Sequence, residues 1–141
     1  MKLRCAMSST KNKGDIAEIA VAHHLMENGM SILFPYGENR RYDLVVDLCG
    51  RFIRIQTKYA VSKDDHWIVR CRSTNDYNTR KYTSKEIEYI ASYDARTKMI
   101  IYIPAPLLDD GKAVLHFRFN PSAKRKNTKV RLVDDFLALP K

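Results

Sequence analysis

Two short runs of alternating apolar and polar residues, rich in Leu, Val and Ile, stand on either side of Cys49-Gly50. A period of two predicts strands, and the two-residue gap between the runs predicts a β-hairpin over residues 42–58. Gly50 supplies the positive φ that a tight turn needs, although cysteine is unusual in such a turn. If the loop is Cys49-Gly50, then Leu48 pairs with Arg51, and every upstream residue has a fixed partner.

This register gathers polar side chains on one face of the predicted hairpin. Asp43 falls opposite Gln56, and Lys58 lies one diagonal step further along. Directly opposed residues have Cβ atoms roughly 4.5–5.5 Å apart, so an acid, an amide and a lysine converge. The alternative is a polar sheet face with an ordinary cross-strand ion pair. The opposite face is apolar, which makes the hairpin central and favours a functional site.

A helical period covers residues 14–28, with Asp15 expected in the first turn. Glu18 shares the apolar stripe of this helix with Val21 and Leu25. A carboxylate in an apolar stripe is costly unless a cation, a metal or a donor meets it there. Glu18 is therefore a candidate site residue, and a solvated glutamate at the edge of the stripe is the alternative.

The rest of the pattern predicts an α/β fold with a mixed central β-sheet flanked by helices, as one domain over residues 1–141. Residues 73–80 are expected to be irregular. Strands are predicted over 30–35, 66–72, 89–93, 99–103 and 114–119, one or two helical turns within 83–90, a short closing helix within 130–139, and a basic flexible lead over 1–13.

The composition of the chain predicts a polyanionic partner. Lys and Arg number 25 against 16 Asp and Glu, which gives a formal net charge of +9 and points to nucleic acid. No apolar run reaches the length of a membrane span, and the first residues lack a signal-peptide core. Cys5, Cys49 and Cys71 show no metal-binding spacing, so they are predicted to be free thiols in a cytoplasmic protein.

The candidate site has the ligand chemistry of a hard cation. Oxygens from Asp43, Gln56 and a backbone carbonyl, taken as that of Thr57, suit Mg²⁺, with Mn²⁺ as a substitute. Glu18 could reach the ion through water. Lys58 is placed to position a water or to offset the charge that grows on a phosphorus under attack. A basic protein with such a site is predicted to hydrolyse phosphodiester bonds.

Cationic side chains outside the site are candidates for contact with the phosphate backbone. The strongest charge run spans residues 121–131 and contains no acid. A mobile basic loop is one way to hold phosphates, and a solvated surface is the alternative for each residue. The predicted DNA contacts are Arg40, Arg41, Lys63, Arg72, Arg80, Lys124, Arg125 and Lys126.

The ordered set of Glu18, Asp43 and Gln56-x-Lys58 on a hairpin resembles the PD-(D/E)XK nuclease superfamily. The segments R-Y-D-L-V-V-D and R-F-I-R-I-Q-T-K, together with residues 93–104, resemble the branch associated with group I intron homing endonucleases. That branch has glutamine where most relatives have Asp or Glu. The resemblance implies an α-β-β-β-α-β core and a Mg²⁺-dependent endonuclease that cuts double-stranded DNA. Two strands need two cuts, so a homodimer or homotetramer is expected.

Two residues depart from the superfamily pattern. Tyr42 replaces the proline of the motif, which is not a ligand. Gln56 is neutral, so the site should hold a metal more weakly than an acidic version and leaves the number of metals open. Two alternatives to a homing-type enzyme stand, although resolving enzymes usually carry an acid at the position of Gln56. One is a nuclease of the Holliday-junction-resolving kind, and the other is a catalytically decayed DNA-binding module.

Overall fold

The strands in the described part of the chain form three β-sheets. The structure, a computed structural model, describes residues 10–74, 78–122 and 129–141. In chain order the elements are α1 (Thr10–Glu27), β1 (Ser31–Leu33), β2 (Leu44–Leu48), β3 (Arg51–Tyr59), β4 (Val61–Lys63), β5 (His66–Arg70), β6 (Arg72–Thr74), β7 (Thr79–Lys81), β8 (Tyr89–Asp94), β9 (Met99–Pro104), β10 (Val114–Arg118) and β11 (Arg131–Leu132), with 3-10 helices at Ala105–Leu108 and Val133–Phe136.

The central sheet has five strands in the order β1-β2-β3-β8-β9. The β3–β8 pair is parallel and the other pairs are antiparallel, so the predicted mixed central sheet is confirmed. The hairpin register is also confirmed, with Leu48 opposite Arg51 and Leu44 opposite Ile55. Both turn residues have positive φ, 54° at Cys49 and 91° at Gly50, which matches the right-handed twist of the flanking strands.

Three layers enclose two apolar cores. Helix α1 packs on one face of the central sheet through buried residues that include Val21 and Leu25, against Leu44 and Ile53 of the hairpin. A second sheet, in the order β11-β10-β5-β4, covers the other face. The Trp67 indole N–H joins the two sheets by donating to Ser92 Oγ at 3.0 Å.

The second helix of the expected α-β-β-β-α-β core has no α-helical counterpart in the described residues. That part of the chain forms strands β4 and β5 of the second sheet instead, and burial alternates along β5, with Trp67 and Val69 buried and His66 and Arg70 exposed. The helical turns predicted within 83–90 amount to one turn, in which the Glu86 N–H donates to Thr83 O at 3.1 Å. Strand β8 begins after this turn, and Glu88 attaches its start to β3. The Glu88 N–H donates to Arg54 O at 3.0 Å, and the Glu88 carboxylate pairs with the Arg54 guanidinium.

Three further boundaries differ from the sequence expectations. Helix α1 begins at Thr10, so Thr10–Lys13 are helical rather than part of a flexible lead, and Asp15 lies beyond the first turn. Residues 130–139 form β11 and a 3-10 helix, because Arg131 and Leu132 pair with β10. Residues expected to be irregular form the β6–β7 pair, a separate two-stranded sheet that we call the ribbon.

Candidate active site

Asp43 is the best-anchored polar side chain of the hairpin. Its backbone N–H donates at 2.9 Å to Ile55 O, the carbonyl of the residue that pairs with Leu44, so Asp43 lies at the end of the paired segment. Its Oδ2 atom accepts hydrogen bonds from Gln56 Nε2 at 2.7 Å, from the Thr57 backbone N–H at 2.8 Å and from Thr57 Oγ1 at 2.7 Å. Three donors on one oxygen fix the orientation of the carboxylate.

Gln56 and Thr57 are held rigidly because β3 lies between β2 and β8 in the middle of the sheet. They are 9% and 6% exposed, respectively. Gln56 Nε2 makes a second hydrogen bond, to Thr57 O at 3.2 Å. No described residue donates to Asp43 Oδ1 or to Gln56 Oε1. The buried side-chain atoms that lack a hydrogen bond in the described chain are elsewhere, at Arg41 Nε and Glu86 Oε2.

Glu18 meets Asp43 across an open cleft of about 260 Å³. Burial raises the pKa of Glu18, and the negative charge of Asp43 adds to the rise. The two carboxylates are therefore electrostatically coupled, as expected for groups that share a cation. The cleft is also lined by Glu38 and Arg40 from the loop that precedes the hairpin.

Lys58 lies on the same strand as Gln56, two residues further on. Its Nζ donates to Arg72 O at 3.0 Å and lies 4.9 Å from the centre of the Tyr82 ring. Burial lowers the pKa of Lys58, and the negative charge of Asp43 opposes that change. The structure thus brings Glu18, Asp43, Gln56 and Lys58 together. Asp43 lines the cleft with Glu18 and also accepts hydrogen bonds from β3.

The donor set fits a hard divalent cation. The oxygens concerned are Asp43 Oδ1, Gln56 Oε1, the Thr57 carbonyl and, from the cleft, the Glu18 carboxylate, all of the kind that Mg²⁺ prefers. Within the described residues no group of three or more His, Cys, Asp or Glu side chains has metal-binding geometry. Any cation here therefore relies on neutral oxygens as well as on the carboxylates.

The two arginines before Asp43 point to different places. Arg40 is exposed and lines the cleft. Arg41 turns toward the ribbon, donating to Ser73 Oγ at 2.6 Å and to Lys81 O at 2.9 Å, with its Nε 3.3 Å from Glu86 Oε1. Arg41 is therefore occupied by contacts within the protein.

The other predicted DNA contacts are spread over the surface. Lys63, Arg72 and Arg80 are exposed, and Arg80 also forms an ion pair with Glu86. The basic residues Lys124, Arg125 and Lys126 lie outside the described part of the chain. Cys49 and Cys71 are free thiols, as predicted, whereas Cys5 lies outside the described residues. Across the described ranges, no helix is long and apolar enough to cross a membrane.

Sequence reasoning missed three residues of this region. Glu38 had a usable signal, since it lies in the polar loop that leads to Arg40 and Asp43. Tyr82 and Glu86 had none, because they reach the site only when the turn at 83–87 packs beside Arg41. The centre of the Tyr82 ring lies 4.2 Å from the Arg41 guanidinium carbon, so one aromatic ring contacts both Arg41 and Lys58.

Residues 8–139 match the family model described as PD-(D/E)XK endonuclease. The chain belongs to this family, which places it among the nucleases. A solved structure described as a bacterial homing endonuclease, I-Ssp6803I, has the same fold, with a TM-score of 0.74 and 23% sequence identity. The match covers 92% of this chain and 88% of that one. No curated protein matches the chain significantly.

Proposed function

We propose that the protein is a Mg²⁺-dependent DNA endonuclease of the homing type that acts inside the cell as a homodimer or homotetramer. The observation that carries the proposal is the Asp43 carboxylate. It is fixed by three hydrogen bonds from Gln56 and Thr57 and leaves its other oxygen free of described donors. The fold of a bacterial homing endonuclease and the net charge of +9 support a DNA substrate.

Each side chain of the site has a distinct task in this proposal. Asp43, Gln56 and the Thr57 carbonyl would hold the ion, and Glu18 would contribute through a water from the cleft. A bound Mg²⁺ polarises a phosphoryl oxygen and lowers the pKa of a water molecule. The Lys58 ammonium offsets the charge that develops on the phosphate or orients the attacking water. Arg40, at the rim of the cleft, contacts the DNA backbone.

Gln56 provides the sharpest test, because its amide nitrogen donates to Asp43 while its oxygen is assigned to the ion. Gln56→Glu places two carboxylates side by side, which raises a carboxyl pKa when no metal is present. The ion compensates that repulsion, so this variant should keep its activity and need less Mg²⁺. Gln56→Leu has no oxygen and should be inactive. The measurement is the initial rate of plasmid nicking against Mg²⁺ concentration for the parent and both variants.

Substrate and controls separate this proposal from its alternatives. Linear duplex, supercoiled plasmid and four-way-junction DNA are each incubated with and without Mg²⁺. Preferential cutting of the junction would indicate a resolving enzyme, and binding without metal-dependent cutting would indicate a decayed nuclease. If Gln56→Leu cleaves as well as the parent, Gln56 is not a ligand and the proposed site is wrong. Sedimentation of the parent tests the oligomer.

A further inference from the structure

The ribbon has two faces that its register defines. Arg72 pairs with Lys81, Ser73 with Arg80, and Thr74 with Thr79. Because opposed residues in an antiparallel pair share a face, Ser73 and Arg80 lie on one face and the other four residues lie on the second.

The inner face holds the ribbon against the protein. Ser73 Oγ accepts the hydrogen bond from Arg41, and Arg80 pairs with Glu86. The Tyr82 N–H, just after β7, donates to Cys71 O at 3.2 Å. These polar contacts fix the orientation of the ribbon, so its outer face is turned away from the body.

The outer face carries two cations and two hydroxyls. Arg72, Thr74, Thr79 and Lys81 are all exposed, and the two threonine hydroxyls lie 3.3 Å apart. Like charges directly opposite each other destabilise a strand pair. Within the described residues neither Arg72 nor Lys81 forms an ion pair with an acid. Two opposed cations that lack an acidic partner among the described residues favour an anionic partner from another molecule.

The outer face begins at the proposed active site. Lys58 Nζ donates to the carbonyl of Arg72, so the first residue of the ribbon touches the lysine assigned to the scissile phosphate. DNA that reaches Lys58 is therefore close to the start of the ribbon.

We propose that the outer face of the ribbon enters the major groove beside the scissile phosphate, with Arg72 and Lys81 on phosphates and the Thr74 and Thr79 hydroxyls toward base edges. This inference rests on the proposed function. Strands of a pair lie about 4.8 Å apart, and a groove about 12 Å wide admits a two-stranded ribbon. The threonines are then specificity residues, whereas Arg72 and Lys81 set the position of the protein on DNA.

The salt dependence of duplex binding, measured in EDTA, tests the phosphate contacts. Each phosphate contact lowers the slope of log K against log salt by about 0.9, so Arg72→Gln/Lys81→Gln should flatten it by about 1.8. The matched control is Arg51→Gln/Lys141→Gln. It removes the same charge at the Cys49-Gly50 end of the hairpin, where the Arg51 guanidinium bonds to Lys141 O. Equal slopes for the two double variants would overturn the proposal.

Methylation of guanine N7 by dimethyl sulfate tests the groove, because this atom lies in the major groove. The parent should protect guanines beside the cleavage site, and Thr74→Val/Thr79→Val should lose part of that protection. Valine keeps the strand propensity, and an unchanged melting temperature confirms that the variant folds. Protection equal to that of the parent would overturn the assignment of the threonines.

The same measurements distinguish a failure of the proposed nuclease function from a failure of this inference. A parent that binds DNA with the ribbon-dependent slope but never cuts it would refute the nuclease proposal and leave the DNA-binding face in place. A parent that cuts DNA while the ribbon variants bind like the control would refute the inference alone.

Discussion

Two hairpins meet at Lys58, and they are built in opposite ways. The β2–β3 hairpin lies in the middle of the central sheet, with Leu44, Val46, Ile53 and Ile55 fully buried. The β6–β7 ribbon contains no buried residue and is attached through polar contacts from Arg41 and Glu86. The first hairpin carries the proposed ligands, and the second carries the proposed DNA contacts. Groups that need fixed geometry thus have a packed core behind them, whereas groups that must follow a DNA surface do not.

The largest expected effect concerns chemistry on the rigid hairpin. Lys58→Met should lower the nicking rate at saturating DNA by roughly 10²–10³-fold, because the ammonium acts on charge that develops in the transition state. Duplex affinity should change only a few-fold, as measured by titration in EDTA. Lys63→Met is the matched control, since Lys63 is exposed on β4. That variant should bind more weakly but cut at the parent's rate once DNA is saturating, and equal losses of binding and rate for Lys58→Met would contradict this role.

Substitutions in the two hairpins should also differ clearly in their effect on the free energy of unfolding. Ile55→Ala removes a fully buried side chain and should lower the free energy of unfolding by about 2–5 kcal/mol. Thr79→Ala on the exposed ribbon should change it by less than about 0.5 kcal/mol. Urea denaturation of both variants measures the contrast. Similar losses would mean that the ribbon belongs to the cooperative core.

A smaller effect is expected where the ribbon is attached. Arg41→Met removes the hydrogen bonds to Ser73 and to the Lys81 carbonyl. It also removes one of the two arginines that form ion pairs with Glu86. Leaving polar partners unsatisfied costs about 1–3 kcal/mol. Amide hydrogen exchange should become faster in β6 and β7 but not in β2 and β3. Uniformly faster exchange would show that Arg41 stabilises the whole fold rather than the ribbon.

The smallest effect concerns the proton on Glu18. Its pKa is raised, so the protein favours the protonated form, and the stability gained from that form is lost as pH rises through the folded-state pKa. Without metal, Glu18→Gln should therefore melt at a higher temperature than the parent at pH 7, and the difference should vanish near pH 4. Adding Mg²⁺ should stabilise the parent more than the variant. A variant that melts lower at pH 7 would mean that Glu18 makes a favourable contact.

The two hairpins also show what the sequence can predict. The register of β2–β3 follows from a period of two and a two-residue loop, both of which are local. The pairing of Leu44 with Ile55, which sets Asp43 beside Gln56, therefore follows from the amino-acid sequence alone. The ribbon has no such signal, because Thr79, Arg80 and Lys81 are all polar and no apolar alternation marks the strand. Its strands are held by Arg41, which is distant in sequence, and by the nearby Glu86, and no hydrophobic pattern marks either contact.

The same distinction explains the missing second helix. The family resemblance implies a second helix in the core, whereas the sequence itself predicts a strand over 66–72, and the structure has β5 there. The spacing of the apolar residues in that segment favours a strand, because Trp67, Val69 and Cys71 all lie in the core shared with the central sheet. Glu18 was placed by helical spacing, but its contact with the site depends on how α1 packs on the sheet.

The parallel pairing of β3 with β8 has a consequence for folding. These strands are joined by a segment that contains β4, β5, β6 and β7, so their contact closes a long loop. Non-local pairing of this kind forms slowly, because chain entropy is lost before the contact is made. The β2–β3 hairpin can form early, but Gln56 and Thr57 gain their second neighbouring strand only when this loop closes. Pulse-labelled hydrogen exchange during refolding should therefore protect the amides of β2 before those of β8, so the proposed metal ligands would reach their final environment late in folding.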